Sequence, residues 1–150
     1  MTSIAEATIT SSAAPERFFA RWADMATWPE WNTDTEWVRL DTPFGPGATG
    51  TLKPKGGPKV RFTVTSVVEG REFVDVSHLI GAKLTFAHTV TLRPDGGCAV
   101  NVSIDLTEPL AWLWKMALGK GLRTSVQPDL DRLAATAEAD AAAPADHRRA

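Results

Sequence analysis

From Thr35 to Thr107 the sequence alternates apolar and polar residues, and no segment between the alternating runs is long enough to form a crossover helix. Candidate strands follow at 35–41, 48–54, 59–68, 72–80, 83–93 and 98–107, broken by turns such as "PFGPG", "KGGP", "EG" and "PDGG". A parallel connection needs a dozen or more residues, so strands this closely spaced pair antiparallel. Residues 4–11 add a weaker strand, with Ala5, Ala7 and Ile9 on one side and Glu6, Thr8 and Thr10 on the other.

Helical spacing flanks this block. In "SSAAPERFFARWADM", Pro15 suits the first helical position and Glu16 the positive end of the dipole, while Phe18, Trp22 and Met25 share one face. Pro29 disfavours helical geometry at Trp28, so a second short helix is predicted to start there and carry Trp31. After Pro109 the spacing is helical again, with Leu113, Met116, Leu122, Val126, Leu130, Leu133 and Ala137 on a broad stripe. Gly119 and Gly121 weaken its middle, and Pro128 is expected to kink or divide it. The chain therefore reads as α+β: a strand, a pair of short helices, about six more strands and a long C-terminal helix. One domain is expected over residues 1–138. The stretch 139–150, "ADAAAPADHRRA", has nothing to bury and is expected to be a disordered tail that includes His147.

Register decides what lies inside. A three-residue Asp95-Gly96-Gly97 loop would pair Pro94 with Cys98, set Val90 against Val102 and His88 against Ile104, and merge the two apolar faces. The preceding hairpin leaves two registers open. The even one turns Val74, Val76, His78 and Ile80 inward, with Val76 opposite His88. A tight Gly81-Ala82 turn instead turns Phe73, Asp75, Ser77 and Leu79 inward, with Asp75 opposite His88. The more apolar face favours the first. Both put His88 inside, as a neutral core histidine or as a polar anchor in a ligand pocket. Desolvation alone would depress its pKa, and an adjacent Asp75 would raise it. No third ligand stands near His78 and His88 at a recognisable spacing, so no metal is expected.

Several function classes lose support. A net charge of −2 and a pI near 5.9 give no basic field for nucleic acid. No run approaches the ~18 apolar residues of a membrane span, and "MTSIAEATIT" lacks a basic region followed by an apolar run, so a cytoplasmic protein is expected. Cys98, the one cysteine, is read as a small packing residue and excludes an internal disulfide. Nucleophile-elbow, phosphate-loop and Cys-x-x-Cys motifs are missing, and without any tyrosine there is no phenol for acid–base chemistry.

The combination of "APERFFARWADMATWPEWN" after the first strand, "FAHTVTLRPDGG" in the late hairpin and "PLAWLWKMALGKGLRTSVQPDLDRLAA" at the end resembles the START-related superfamily. That superfamily includes polyketide cyclases/dehydrases, lipid-transfer proteins and the birch-pollen allergen. The resemblance implies a helix-grip fold, in which a curved antiparallel sheet wraps the last helix and leaves a cavity between them. No cofactor is expected. Residues expected to line the cavity are Trp31, Phe62, Val64, Val76, His78, Phe86, Val102, Ile104, Trp112 and Met116, with His88 as the candidate catalytic group.

The implied function is binding or transport of a small hydrophobic, lipid- or polyketide-like molecule, without membrane insertion. One alternative is a polyketide cyclase/dehydratase-type enzyme with His88 as general acid/base, oriented by Asp75 or His78. The family's cyclases use an arginine on a mid-sheet strand. Here that strand carries only Arg61, near its start and on the face opposite Phe62 and Val64. The second alternative is an accessory protein that docks on a partner.

Overall fold

Pro15 opens the first helix as its position suggests, and α1 runs Pro15–Ala23 with Phe18, Phe19 and Trp22 turned into the core. The computed structural model describes residues 2–142. A 3-10 helix, Met25–Glu30, follows α1 directly. It starts before Pro29 rather than at it, so Trp28 lies within the helix and Trp31 just beyond it. Pro29 withholds a single N–H, a small loss in so short a helix.

The strands are β1 (Thr2–Ser11), β2 (Thr35–Leu40), β3 (Thr49–Pro54), β4 (Val60–Val68), β5 (Glu72–Leu79), β6 (Ala82–Leu92) and β7 (Cys98–Thr107), and the last element is α2 (Ala111–Ala142). They form one antiparallel sheet in the order β1-β7-β6-β5-β4-β3-β2. The meander is thus closed by β1 on β7. Register shifts at Ser3/Ala5, Thr35/Trp37 and Val64/Ser66 introduce the bulges that help a sheet bend. This is the α+β helix-grip arrangement, with seven strands.

The β6–β7 hairpin keeps the expected facing but slides by two residues. His88 pairs with Val102 and Val90 with Val100, around a Pro94-Asp95-Gly96 loop closed by Arg93 and Gly97. Asp95 accepts a bond from the Gly97 N–H at 2.9 Å, which fixes the turn one residue earlier than the glycine pair suggests.

The β5–β6 hairpin departs further, and the even register is overturned. Leu79 pairs with Ala82 across a two-residue Ile80-Gly81 turn, so Phe73 stands opposite His88 and Asp75 opposite Phe86. Gly81 takes φ +72°, which a side chain resists, and a Cβ there would lie 2.5 Å from Leu110 Cδ1. This turn sends Phe73, Asp75 and Ser77 inward. It matches the facing of the tight-turn alternative but not its Asp75–His88 pairing.

Between β3 and β4, Gly50 pairs with Phe62. A Cβ on Gly50 would meet Arg39 O at 2.5 Å and Phe62 Cζ at 2.7 Å, so the Phe62 ring lies directly on bare backbone.

Helix α2 is not divided at Pro128. It buries Leu130, Leu133 and Ala137, and packs mainly against β1. It also runs beyond residue 138, where the tail was expected to begin. Ser11 Oγ donates to Glu138 at 2.6 Å, and Arg21 bridges Asp140 at 2.7 Å and Glu30 at 2.8 Å. These contacts tie the helix end to β1, α1 and the 3-10 helix. The rest of the expected tail, including His147, lies outside the described residues. No helix among the described residues is long and apolar enough to cross a membrane.

Candidate functional site

A cavity of about 230 Å³ lies between the inner face of the sheet and α2. Its walls are aromatic and aliphatic. Trp22 comes from α1, Trp28 and Trp31 from the 3-10 helix and its end, Phe62 from β4, Phe86 from β6, and Val102 and Ile104 from β7. From α2 come Leu122, Val126, Leu130 and Leu133. Polar groups enter at Asn32, Asp34 and Thr35 after the 3-10 helix, at Asp75 and Ser77 on β5, at His88, and at Ser125 and Asp129 on α2.

Six of the residues expected from the sequence meet here: Trp31, Phe62, Phe86, His88, Val102 and Ile104. Val64 is fully buried but lies outside this lining. Val76 and His78 face the other side of β5, where Thr63 and His78 share a hydrogen bond of 3.0 Å. Both were misplaced by the β5 register. Trp112 and Met116 are also corrected, because they are 61% and 76% exposed on the first turns of α2. The inward stripe there is Trp114, Leu118, Leu122 and Val126, continuing to Leu130 and Leu133. Trp114 fixes it by donating from Nε1 to the Ile80 carbonyl at 2.7 Å. A strict four-residue spacing traced back from Leu122 would have found that stripe. No hydropathy signal marks Asp75 as inward.

The tryptophans that flank Pro29 are both core and wall. Each is 6% exposed, and their ring centroids are 5.7 Å apart. Trp28 Nε1 donates to the Trp22 carbonyl at 3.1 Å, which satisfies its polar atom. Trp31 is held through its backbone instead. Arg132 on α2 donates from Nε to the Trp31 carbonyl at 3.1 Å and from Nη2 to the Asp129 carboxylate.

His88 is 7% exposed, stacked on Phe73 with ring centroids 4.0 Å apart and flanked by Trp22 at 5.3 Å. Its Nδ1 lies 3.2 Å from the Phe73 carbonyl oxygen. A carbonyl only accepts, so Nδ1 carries the proton and Nε2 is the acceptor when the ring is neutral. Burial pushes the His88 pKa down to about 4, against a smaller opposing effect of that hydrogen bond. Asp75 on the same inner face does not raise it, for two reasons. It sits opposite Phe86 rather than His88, and burial pushes its own carboxyl up to about 7. A carboxyl that resists ionisation supplies little negative charge to its neighbour. Asp129 is likewise raised, chiefly by burial, with Arg132 opposing.

Three buried side-chain polar atoms have no hydrogen-bond partner among the described residues: Trp22 Nε1, Trp31 Nε1 and Asp75 Oδ1. All three belong to residues lining this one cavity. Buried polar groups are overwhelmingly paired in folded proteins, so three unpaired atoms on residues of one cavity are an unusual concentration. Among the described residues no group of three or more His, Cys, Asp or Glu converges as a metal site.

The fold has many relatives at low identity. Ara h 8.0201 superposes with a TM-score of 0.66 at 16% identity, covering 89% of this chain and 96% of that one. The di-domain ARO/CYC StfQ from the steffimycin biosynthetic pathway gives 0.74 at 14% identity, covering 95% of this chain and 53% of StfQ. A START superfamily protein from Mycobacterium smegmatis gives 0.65 at 15% identity, covering 92% and 96%. No curated protein matches the chain. The sequence itself matches the family described as "Polyketide cyclase / dehydrase and lipid transport" over residues 2–138, and the chain belongs to that family.

Proposed function

We propose that this protein binds a compact hydrophobic molecule in the cavity between sheet and α2, as a carrier or a sequestering protein. The observation that carries the reading is that the three orphaned buried polar atoms all belong to residues lining one largely apolar cavity. At about 230 Å³ the cavity falls below the ~300–1,000 Å³ of drug-sized sites, which favours a small ring system over a long acyl chain. Native mass spectrometry of freshly purified protein tests it. A co-purifying small molecule that is lost in an Ile104→Trp variant, which fills the cavity, is the expected result. A ligand retained by that folded variant would place binding elsewhere.

A second reading is supported by the inverted pair Asp75 and His88. With a pKa of about 7, Asp75 keeps its proton in part of the population near neutral pH while burial keeps the His88 imidazole neutral, so one cavity offers an acid and a base. Such a pair suits the proton transfers of aldol condensation and dehydration, the chemistry of a cyclase-type enzyme. Turnover of a poly-β-ketone mimic that is lost on His88→Gln would favour this reading over simple carriage.

A further inference from the structure

The polar side of the cavity is acidic and rich in acceptors. Asp34, Asp75 and Asp129 lie on its wall, and among the described residues no lysine or arginine does. Arg132 stands behind Asp129, engaged with that carboxylate and with the Trp31 carbonyl. His88 gives its N–H to Phe73 and so presents an acceptor nitrogen. Carboxylates alone would not make a site. Here one of the lining residues, Asp75, is 6% exposed and has a buried carboxylate oxygen with no hydrogen-bond partner among the described residues. The same cavity is lined by the rings of Trp22, Trp28, Trp31, Phe62 and Phe86. Aromatic faces attract a cation, most strongly when water is excluded.

Resting on the reading of this cavity as the ligand site, we propose that its ligand is a compact hydrophobic amine, bound as the ammonium with its charge on Asp75. An anionic ligand, such as a fatty-acid or other carboxylate, would meet three acids and no basic side chain in the lining. A neutral alcohol would satisfy the Asp75 oxygen but leave the cost of ionising it unrelieved. An ammonium supplies both the hydrogen bond and the countercharge that a buried carboxylate lacks. The two unpartnered indole N–H groups are donors and suit an oxygen acceptor on the same ligand.

The pH dependence follows. An alkylammonium stays charged from pH 5 to 8, so the proton that binding displaces comes from Asp75. Other charged or titratable groups belong to the cavity lining or stand directly behind it. They are His88 on β6, Asp34 after the 3-10 helix, and Asp129 with Arg132 on α2, while the lining from α1, β4 and β7 is free of them. His88, with its pKa near 4, remains neutral over this range. Asp129 already has Arg132 for a partner.

Calorimetric titration of the full-length protein with 2-phenylethylamine, 2-phenylethanol and 3-phenylpropionate tests the proposal at pH 5, 6, 7 and 8. We expect the amine to bind at least tenfold more tightly than either analogue at pH 8. Its Kd should weaken by up to about tenfold per unit on acidification below pH 7, and hold roughly steady above it. Asp75→Asn, nearly isosteric, should lose both the preference and the slope while keeping the alcohol's affinity. The wild-type series alone decides the matter if that variant does not fold. Equal or tighter binding of the alcohol or the acid overturns the amine and leaves the hydrophobic-ligand reading standing. Binding of none of the three overturns both.

Discussion

The two faces of β5 show how little hydropathy alone decides. The outward face carries Val74, Val76 and His78, and the inward face Phe73, Asp75 and Ser77. By count the outward set is the more apolar, yet the inward set is chosen. Phe73 is fully buried, and one large ring removes more apolar area from water than a valine does. The Ile80-Gly81 turn then fixes the parity of the whole strand. The lesson is that a strand carries its residues inward as a set. Asp75 is buried because Phe73 is.

The comparison breaks most visibly at its anchor. Phe73→Ala should cost about 3–5 kcal/mol, read by urea denaturation, because the ring packs on His88, Trp22 and Phe44. A loss below about 1 kcal/mol would mean that Phe73 does not hold the register.

Next in size is the opposed titration of the two buried groups. Asp75 has a folded pKa of about 7 against an ordinary 3.8, so the stability it contributes is full below the ordinary value and is lost as pH rises to 7. His88 runs the other way. With a folded value of about 4 against 6.5, its contribution is full above 6.5 and is lost as pH falls toward 4. Between those limits the slopes oppose, and the wild-type stability should be nearly flat. Asp75→Asn should leave a protein that loses on the order of 3 kcal/mol as pH drops from about 6.5 to 4. His88→Gln should leave one that gains a similar amount over the same fall. Denaturation midpoints at four pH values would show it, and two variants that keep the wild-type profile would refute the opposition.

The smallest effect belongs to the outward face. His78→Gln should change stability by no more than about 0.5 kcal/mol, since the side chain is exposed and its bond to Thr63 competes with water. A larger loss in the same denaturation assay would mean that this face is covered in solution.

Much of the fold was legible because period is a local property. The alternation of β6 and β7 placed His88 inside without reference to any other strand, and Pro15 with Phe18 and Trp22 located α1. What stayed hidden depended on distant partners. "LIGAK" can close with a two-residue or a three-residue loop, and that single residue of loop length exchanges Asp75 for Val76 on the inner face. Trp112 and Met116 follow helical spacing as well as Trp114 and Leu118 do. Spacing says which residues share a face, but not where the opposing surface lies. The charged half of the site was the least visible, since Asp34, Asp75 and Asp129 come from three separate elements that only the folded sheet and helix bring together.

Gly50 gives the cavity an unusual kind of gauge. The Phe62 wall rests on the backbone of β3 with no side chain between, so the thickness of the sheet at that point sets how far the ring projects toward α2. A single methyl at position 50 would press on the Arg39 carbonyl, which is held in the β2–β3 ladder, and on the tip of Phe62. The softer contact is the ring, so the displacement would be passed into the cavity. The depth of the cavity at the Phe62 wall is therefore metered from the edge of the sheet, by a glycine that is not itself part of the lining.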